Sequence, residues 1–245
     1  MKLSIIIPVY NEEKTVALVL DKLKGLEFPF ETEVVLVNDG STDGTGKIVE
    51  ALRKGNAFKV IRLPENRGKG VAIRRGLEHI EGDCFIVQDA DLELDPTDII
   101  EMSKRMREEN AQIVYGSRFK LADNKMRGIP WLTLLVNRVL TLYTNLLFRS
   151  RLTDMATCYK LIRTEIIKKI KLEATGFEYE PEITAKLLRL GYHIIEVPVS
   201  YSPRSYNEGK KIRWRDGIRY LYTLTRYRIA EKDSFMRSSK NHALL

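Results

Sequence analysis

Three carboxylates alternate along the chain at Asp89, Asp91 and Glu93, just after the apolar run Cys84–Val87. Like charges at this spacing repel one another, and no basic residue lies beside them in the sequence. A hard divalent cation relieves such repulsion, because Mg²⁺ and Mn²⁺ prefer oxygen ligands and often take one or two carboxylates together with substrate phosphates. We therefore predict a metal site here, and a water-solvated acidic loop is the simpler alternative.

Two further polar clusters each follow an apolar run and precede a helical pattern. In the first, Tyr10 could stack on a base, and Glu12 could accept a hydrogen bond from a ribose hydroxyl or a base edge. In the second, Asp39 could accept an N–H of uracil or guanine, and Gly40 permits a tight turn into the next helix. Helix capping and turn chemistry remain open as explanations of both clusters.

The elements that must position these side chains can be predicted from apolar periodicity. Helical patterns alternate with apolar runs whose composition is that of strands buried on both faces: Leu3–Val9, Val34–Val37, Lys59–Leu63, Cys84–Val87 and Ile113–Tyr115. We predict an α/β fold with a Rossmann-like, mainly parallel sheet flanked by helices. Ligands of such sheets gather at the carboxyl ends of the strands, where all three polar clusters fall.

The second half of the chain differs in composition from the first. The segment Ile129–Phe148 is apolar around one charge, Arg138, but Asn137 and several threonines interrupt it. A spanning helix needs roughly 20 predominantly apolar residues, so we favour a helix or helix pair in the membrane interface, with a core helix as the alternative. The pattern of residues 218–230 predicts a basic amphipathic helix. Residues 231–245 are predicted to form a flexible tail.

Composition narrows the class of protein. The chain has 245 residues, 44% of them hydrophobic, which suits one folded domain rather than a disordered chain. Its net charge of +8 divides unevenly, because residues 1–100 carry 13 basic and 18 acidic side chains, and the rest carry 28 and 15. Cys84 and Cys158 lie in apolar surroundings, so we expect neither a disulfide framework nor a cysteine zinc site. The N-terminal apolar run is too short for a signal peptide, so we interpret it as a strand.

Six ordered motifs together resemble the family-2 glycosyltransferases of the GT-A fold, specifically the dolichyl- or polyprenyl-phosphate mannose and glucose synthase branch. The resemblance runs from Ile5 to about Arg228. Its carriers are Pro8-Val9-Tyr10-Asn11-Glu12, Asn38-Asp39-Gly40-Ser41-Thr42-Asp43-Gly44, Asn66-Arg67-Gly68-Lys69-Gly70, Asp89-Ala90-Asp91, Gly116-Ser117-Arg118-Phe119 and Tyr206-Asn207-Glu208-Gly209-Lys210-Lys211-Ile212.

The resemblance implies a donor site for a nucleotide sugar. The first two motifs would seat the nucleotide through Pro8, Tyr10, Glu12 and Asp39. The aspartate motif would hold Mg²⁺ or Mn²⁺ and the sugar diphosphate through Asp89 and Asp91. Glu93, where some relatives have glutamine, would be a third ligand.

The resemblance also assigns roles to the basic half. Arg118 would bind the phosphate of a lipid acceptor, with Arg127 as a second arginine at the mouth of a lipid groove. Guanidinium groups suit this task because they bind phosphate bidentately. Arg204 and Lys210 would lie on a loop that closes over the donor and would neutralise the departing nucleoside diphosphate. A solvated surface is the alternative for Arg127 and Lys210.

The three histidines, His79, His193 and His242, are scattered, and none lies in a cluster suited to general-base catalysis. A phosphate acceptor needs no base, because a phosphate monoester is largely anionic at neutral pH. The predicted reaction is therefore an inverting displacement of hexose from GDP-mannose or a UDP-sugar, with Asp91 and Arg118 as the main catalytic groups. The alternative is a hydroxyl acceptor, with Glu178 or Glu180 as the base.

Two other classes compete with this hypothesis. A nucleotidyltransferase usually has a glycine-rich basic signature near the first strand, where this chain has Pro8–Glu12. A basic nucleic-acid or anionic-lipid binding protein is the non-enzymatic alternative. Residues 204–232 carry nine basic and three acidic side chains. They accompany an apolar segment rather than a recognised DNA- or RNA-binding module.

We predict a single catalytic domain over residues 1–230, with a nucleotide-sugar half at 1–118 and an acceptor half at 119–230 that contains the apolar helix 129–148. The expected partners are a nucleotide sugar, a dolichyl or polyprenyl phosphate and a membrane surface, without nucleic acid. The expected location is peripheral, on the cytoplasmic face of the membrane. A membrane-anchoring partner or a homo-oligomer would complete the attachment.

Overall fold

The computed structural model describes residues 1–54, 58–120, 131–204 and 214–237. Its centre is a seven-stranded sheet in the order β3-β2-β1-β4-β6-β5-β7. The strands are β1 (Lys2–Val9), β2 (Glu31–Asp39), β3 (Lys59–Leu63), β4 (Cys84–Val87), β5 (Ile113–Ser117), β6 (Lys160–Arg163) and β7 (Ile195–Pro198). Strand β6 is antiparallel to both β4 and β5, and the other neighbours pair in parallel. The predicted α/β fold with a mainly parallel sheet is confirmed.

Helices cover the sheet and extend beyond it. They are α1 (Val16–Lys24), α2 (Thr45–Arg53), α3 (Lys69–Leu77), α4 (Asp98–Glu108), α5 (Trp131–Phe148), α6 (Thr164–Ile167), α7 (Tyr179–Arg189) and α8 (Trp214–Ile229). Helix α5 coincides with the predicted apolar helix 129–148 over 131–148, and residues 129 and 130 lie outside the described residues. Helix α8 begins four residues before the predicted start at 218.

The central strands form because their apolar runs can be buried on both faces. Ile5, Ile6 and Ile7 of β1 are essentially inaccessible, as is the whole of β4. Helix α1 buries a stripe of valine and leucine at the spacing of an amphipathic helix, namely Val16, Val19, Leu20 and Leu23. Strands β1, β2 and β4 run in parallel, so their carboxyl ends share one edge, the edge on which the polar clusters were predicted.

A second, smaller core joins α5, α7 and α8 away from the sheet. Its buried members are Leu140, Leu152, Met155, Ala185, Tyr220, Leu224, Tyr227 and Phe235. On α5, Leu140, Thr141 and Thr144 face this core, whereas most of the large apolar residues of the helix are exposed. Within the described ranges, α5 is one helix whose length and apolar composition would allow it to cross a bilayer, with a mean hydropathy of 1.2 and 17% of it buried.

Residues 232–237, which belong to the predicted flexible tail 231–245, pack against the rest of the chain. A short 3₁₀ helix, Lys232–Phe235, brings Phe235 into the second core, where its ring meets Tyr227 edge-on at 6.1 Å between centroids. The backbone N–H of Lys171 donates to the Phe235 carbonyl at 2.8 Å, and that of Arg237 donates to the Lys169 carbonyl at 2.9 Å. One buried aromatic ring and two backbone hydrogen bonds therefore order this segment. Residues 238–245 lie outside the described residues.

Candidate functional site

A cavity of about 530 Å³ opens at the carboxyl edge of β1, β2 and β4. It brings together every predicted site residue that the structure describes. These are Pro8, Tyr10, Glu12, Asp39, Asp89, Asp91, Glu93, Arg118 and Arg204. Arg127 and Lys210 lie outside the described residues, so their roles stay predictions. The cavity therefore joins segments that are up to about 200 residues apart in the sequence.

The Asp39 carboxylate anchors the start of helix α3. Its two oxygens accept hydrogen bonds from the backbone N–H groups of Arg67 and Gly68, at 2.9 and 2.8 Å. The next residue, Gly40, has a φ of +64°, and a Cβ there would lie 2.3 Å from the backbone of Glu65. The turn after β2 is therefore packed directly against the segment that precedes α3. Recognition of a base by Asp39 stays a prediction, for which each oxygen keeps a second lone pair.

The first turn of α3 is also held by a distant loop. The backbone N–H groups of Gly70 and Val71 donate to the Thr175 carbonyl at 2.8 and 3.3 Å. A Cβ on Gly70 would lie 2.4 Å from the Ala174 carbonyl oxygen, so the two backbones pack as closely as glycine allows. The Arg74 guanidinium donates to the same Ala174 carbonyl. Loop 174–175 therefore fixes where α3 begins.

Lys69, the first residue of α3, is a site residue that the sequence analysis missed. Its ammonium group lies 2.8 Å from Asp89 and 3.5 Å from Glu180, and the side chain is mostly buried. The signal was present, because Lys69 belongs to one of the six motifs behind the family resemblance. The sequence alone did not assign Lys69 a role, because Asp89 lies 20 residues further along the chain and only the fold brings the two side chains together.

The Arg204 guanidinium lies among three carboxylates. Its Nη1 donates to Glu12 at 3.0 Å and its Nη2 to Asp91 at 3.0 Å, and its backbone N–H donates to Glu93 at 3.0 Å. The arginine predicted for the donor loop is thus in direct contact with the predicted metal ligands. The predicted metal ligands Asp89, Asp91 and Glu93 are therefore not solvated by water alone. Lys69 pairs with Asp89, and Arg204 contacts Asp91 and Glu93.

The donor set fits a hard divalent cation. Asp89, Asp91 and Glu93 offer only carboxylate oxygens, the ligands that Mg²⁺ and Mn²⁺ prefer. Burial, together with the neighbouring Asp89 and Glu93 carboxylates, raises the pKa of Asp91 to about 7, so repulsion remains despite Arg204. Within the described ranges, no three His, Cys, Asp or Glu side chains are grouped closely enough to hold an ion as they stand. The carboxylates would have to part from Lys69 or Arg204 to ligate one.

Arg118 also lines the cavity, directly after β5. Its guanidinium forms a bidentate pair with the buried Asp154, at 2.7 and 2.8 Å. The ring of Tyr201 lies beneath it, 5.1 Å from the guanidinium carbon to the ring centroid. The cavity is also lined by apolar and aromatic side chains, namely Leu132, Val136, Leu140, Phe177 and Tyr220. Sequence analysis identified Arg118 but not Asp154 or Tyr201.

Neither candidate base is a free carboxylate. Glu180 is buried and pairs with Lys160 at 2.5 Å and with Lys69 at 3.5 Å. Burial alone would raise the pKa of Glu178, but hydrogen bonds from the backbone N–H groups of Gly176 and Thr175 outweigh it and lower that pKa. Of the described histidines, His79 and His193 do not line the cavity. Of the two candidate bases, Glu180 lines the cavity and Glu178 does not.

Comparison with known proteins gives a consistent family. Residues 4–171 match the model of glycosyl transferase family 2. The dolichol-phosphate mannosyltransferase of Pyrococcus furiosus is 27% identical over 234 residues, which cover 93% of this chain and 64% of that protein. The dodecaprenyl-phosphate galacturonate synthase of Rhizobium johnstonii is 28% identical, covering 86% and 62%. The undecaprenyl-phosphate mannosyltransferase of Micrococcus luteus is 29% identical, covering 86% and 87%. The chain thus spans less than two thirds of the length of the first two relatives.

Solved structures share the fold at low identity. Glucosyl-3-phosphoglycerate synthase from Mycobacterium tuberculosis, in complex with Mn²⁺, UDP and phosphoglyceric acid, superposes with a TM-score of 0.71 at 22% identity, covering 94% of this chain and 79% of that one. TarS from S. aureus, in complex with UDP-GlcNAc, gives 0.61 at 20% identity, covering 96% and 69%. The predicted GT-A fold is confirmed.

Proposed function

Because the chain belongs to glycosyl transferase family 2, we propose that it transfers a hexose from a nucleotide sugar to a polyprenyl or dolichyl phosphate. The observation that carries this proposal is the composition of the cavity. The same cavity is lined by acidic groups suited to a metal, by an arginine suited to a phosphate, and by apolar side chains. The three relatives are named for polyprenyl- or dolichol-phosphate products, which supports the same acceptor class.

On the donor side, Pro8, Tyr10, Glu12 and Asp39 would hold the nucleoside. Asp89, Asp91 and Glu93 would hold Mg²⁺ or Mn²⁺, which would supply positive charge against the diphosphate. Arg204 and Lys69 already lie at these carboxylates and would turn to the phosphate oxygens. The structures of the mycobacterial synthase with Mn²⁺ and UDP support a metal-dependent donor site of this kind.

On the acceptor side, Arg118 would bind the lipid phosphate and direct one of its oxygens at the anomeric carbon. That oxygen forms the new bond to carbon while the bond from carbon to the diphosphate oxygen breaks, so the configuration inverts. The phosphate monoester has a second pKa of about 6 and is already anionic at neutral pH, so no proton must be removed. The engaged states of Glu178 and Glu180 agree with this role.

The outer surface of α5 and α8 supports a membrane location. Large apolar side chains are exposed on both helices, with Trp131 73%, Leu146 71% and Ile229 80% accessible. Helices α5 and α8 pack against each other, and a large exposed apolar patch marks a protein or membrane interaction site. One side of α5 packs on the second core, so the helix would lie along the membrane interface with its outer face among the lipids. The acceptor phosphate would then reach Arg118 from the cytoplasmic leaflet.

The direct test is transfer of labelled sugar from GDP-mannose, UDP-glucose or UDP-N-acetylglucosamine to a polyprenyl phosphate with Mg²⁺ or Mn²⁺. The matched control acceptor is the corresponding polyprenol, which lacks the phosphate. We expect transfer to the phosphate and none to the alcohol, together with a metal-dependent thermal shift by one nucleoside diphosphate. Equal transfer to the alcohol, or no shift with any donor, would contradict the proposal.

The hydroxyl alternative is tested by Glu178→Gln and Glu180→Gln. We expect changes in transfer rate of no more than about tenfold, because neither carboxylate abstracts a proton in a phosphate reaction. A loss of several thousandfold in either variant, with donor binding intact, would identify a base and would favour a hydroxyl acceptor.

Membrane association is tested by flotation of nuclease-treated protein with anionic liposomes. Trp131→Glu and Leu135→Glu place charges on the exposed face of α5 and are expected to abolish flotation. Lys104→Glu, on the exposed side of α4, is the matched control. Wild-type protein that ignores liposomes and co-purifies with nucleic acid would support the nucleic-acid binding alternative.

A further inference from the structure

Arg118 is held in a fixed plane by a single buried carboxylate. Asp154 accepts from Nε at 2.7 Å and from Nη2 at 2.8 Å, and it also accepts from the backbone N–H of Arg118 at 3.1 Å. The Asp154 side chain is fully buried and that of Arg118 is 13% exposed. Two parallel hydrogen bonds to one carboxylate fix both the position and the plane of a guanidinium group.

Asp154 is itself fixed from behind. Glu196 on β7 accepts hydrogen bonds from the backbone N–H groups of Thr153 and Asp154, at 2.9 and 3.0 Å. It also accepts from the Thr153 hydroxyl at 2.8 Å, and that hydroxyl lies 2.6 Å from the hydroxyl of Ser117. The loop that carries Asp154 is therefore tied to β5, which leads directly into Arg118, and to the neighbouring strand β7.

Tyr201 packs against one face of the guanidinium group. Its ring lies 5.1 Å from the guanidinium carbon of Arg118, within the range of a cation–π contact. Its hydroxyl donates to Glu93 at 2.9 Å. The aromatic ring that supports Arg118 thus also contacts a predicted metal ligand on the donor side.

This arrangement leaves one nitrogen of Arg118 for a ligand. Nε and Nη2 are taken by Asp154, and Nη1 makes no hydrogen bond to any residue of the described ranges. A carboxylate that accepts from an arginine through both oxygens is also poorly placed to abstract a proton from an acceptor. Asp154 therefore fits the role of a holder better than that of a base.

We propose that Asp154 is a positioning residue that directs Nη1 of Arg118 at the acceptor phosphate, with Tyr201 as the surface on which the guanidinium rests. Asp154 does not touch the substrate itself. Its contribution comes from the fixed geometry of Arg118, so its loss should weaken acceptor binding and leave donor binding unchanged. This inference rests on the proposed function, because it assigns Arg118 to an acceptor phosphate.

The first variant is Asp154→Asn, which keeps the shape of the side chain but removes its charge and one acceptor. We expect kcat/KM for the prenyl phosphate to fall about a hundredfold through KM, with the dissociation constant of the nucleoside diphosphate within about twofold of wild type. In an Arg118→Met background, the same substitution should have almost no further effect, because Asp154 acts through that arginine. Additive losses in this double-mutant cycle would overturn the proposal.

The second variant is Arg118→Lys, which keeps the buried charge pair but cannot be held in a plane. It keeps the proposal testable if Asp154→Asn fails to fold. We expect a comparable rise in KM for the acceptor, since a lysine interacts with phosphate as a point charge without the directional fork. An Arg118→Lys enzyme with the acceptor KM of wild type would show that directing the guanidinium is unnecessary.

Glu33→Gln is the control for a purely structural effect. Glu33 is a mostly buried carboxylate on β2 that pairs with Lys59 at 3.1 Å and does not line the cavity. It should lower the melting temperature without separating the acceptor KM from donor binding. If wild-type protein transfers sugar to no prenyl phosphate, the proposed function fails. If wild type transfers and Asp154→Asn keeps its acceptor KM, this inference alone fails.

Discussion

Arg204 and Arg118 both pair with carboxylates in one cavity, but in opposite ways. Arg204 divides its contacts among Glu12, Asp91 and Glu93, which come from three positions in the chain. Arg118 gives two parallel hydrogen bonds to Asp154 alone. Two of these acids, Asp91 and Glu93, are predicted metal ligands, so their contacts with Arg204 would be exchanged when a donor binds with its metal. The pair of Arg118 with Asp154 can stay in place throughout.

The difference follows from what each side has to bind. A donor with its cation brings both signs of charge, so carboxylates can pass from Arg204 to the cation while Arg204 passes to the diphosphate. No buried charge is left unpaired in such an exchange, which avoids the several kcal/mol that an isolated ion in the interior costs. The proposed lipid phosphate brings only negative charge, and it would be met by a guanidinium whose direction is already fixed by Asp154.

The largest expected effect comes from removing an acid that must change partners. Asp91→Asn is expected to lower transfer about a thousandfold, equivalent to roughly 4 kcal/mol of transition-state stabilisation, because a predicted metal ligand is lost. The metal-dependent thermal shift with nucleoside diphosphate should vanish as well. Asp95→Asn is the control, since Asp95 is partly exposed and pairs with Lys22. Full metal dependence in Asp91→Asn would place the metal elsewhere.

An intermediate effect is expected from removing the cation that the metal must displace. Arg204→Met should bind Mn²⁺ about tenfold more tightly than wild type in the absence of nucleotide, because Asp91 and Glu93 no longer have a competing positive charge. The loss of free Mn²⁺ signal in electron paramagnetic resonance measures this directly. Arg62→Met, at an exposed arginine that pairs with Glu50, is the control. Weaker Mn²⁺ binding in Arg204→Met would mean that Arg204 assists the ion rather than competes with it.

The smallest effect is expected where the two sides meet. Tyr201→Phe keeps the ring under Arg118 but removes the hydrogen bond to Glu93, so kcat/KM for the acceptor should fall only about threefold to tenfold. Any influence of bound donor on acceptor affinity should weaken in the same variant. Tyr222→Phe, on the exposed face of α8, is the control. Unchanged donor–acceptor coupling in Tyr201→Phe would show that the two sides act independently.

The donor edge could be predicted because its signals are local. Asp89 and Asp91 follow a four-residue apolar strand, and parallel strands place such residues at a common edge. The partners of these acids could not be predicted, because Lys69 is 20 residues from Asp89 and Arg204 is 113 residues from Asp91. A sequence pattern specifies the charge of a residue but not which distant charge it will meet.

The same limit explains the missed elements. Strand β6 contains Lys160, which breaks the apolar run, yet its ammonium group is buried against Glu180 and the strand fits between β4 and β5. Asp154 precedes this strand and pairs with an arginine 36 residues earlier. The composition of residues 232–237 is typical of a frayed chain end, so a flexible tail was predicted there. The burial of Phe235 beside Tyr227, which only the fold reveals, explains how this segment packs.

The capping of α3 by loop 174–175 also bears on how the protein is made. The Ala174 carbonyl that Arg74 contacts is synthesised 100 residues after that arginine. At about 5–20 residues per second, a ribosome needs roughly 5–20 s to cover this distance. During that interval the nascent nucleotide half has β1, β2 and β4 but lacks the acceptors for the first turn of α3. A chain released before residue 175 would therefore carry all three donor motifs and still lack a finished donor pocket.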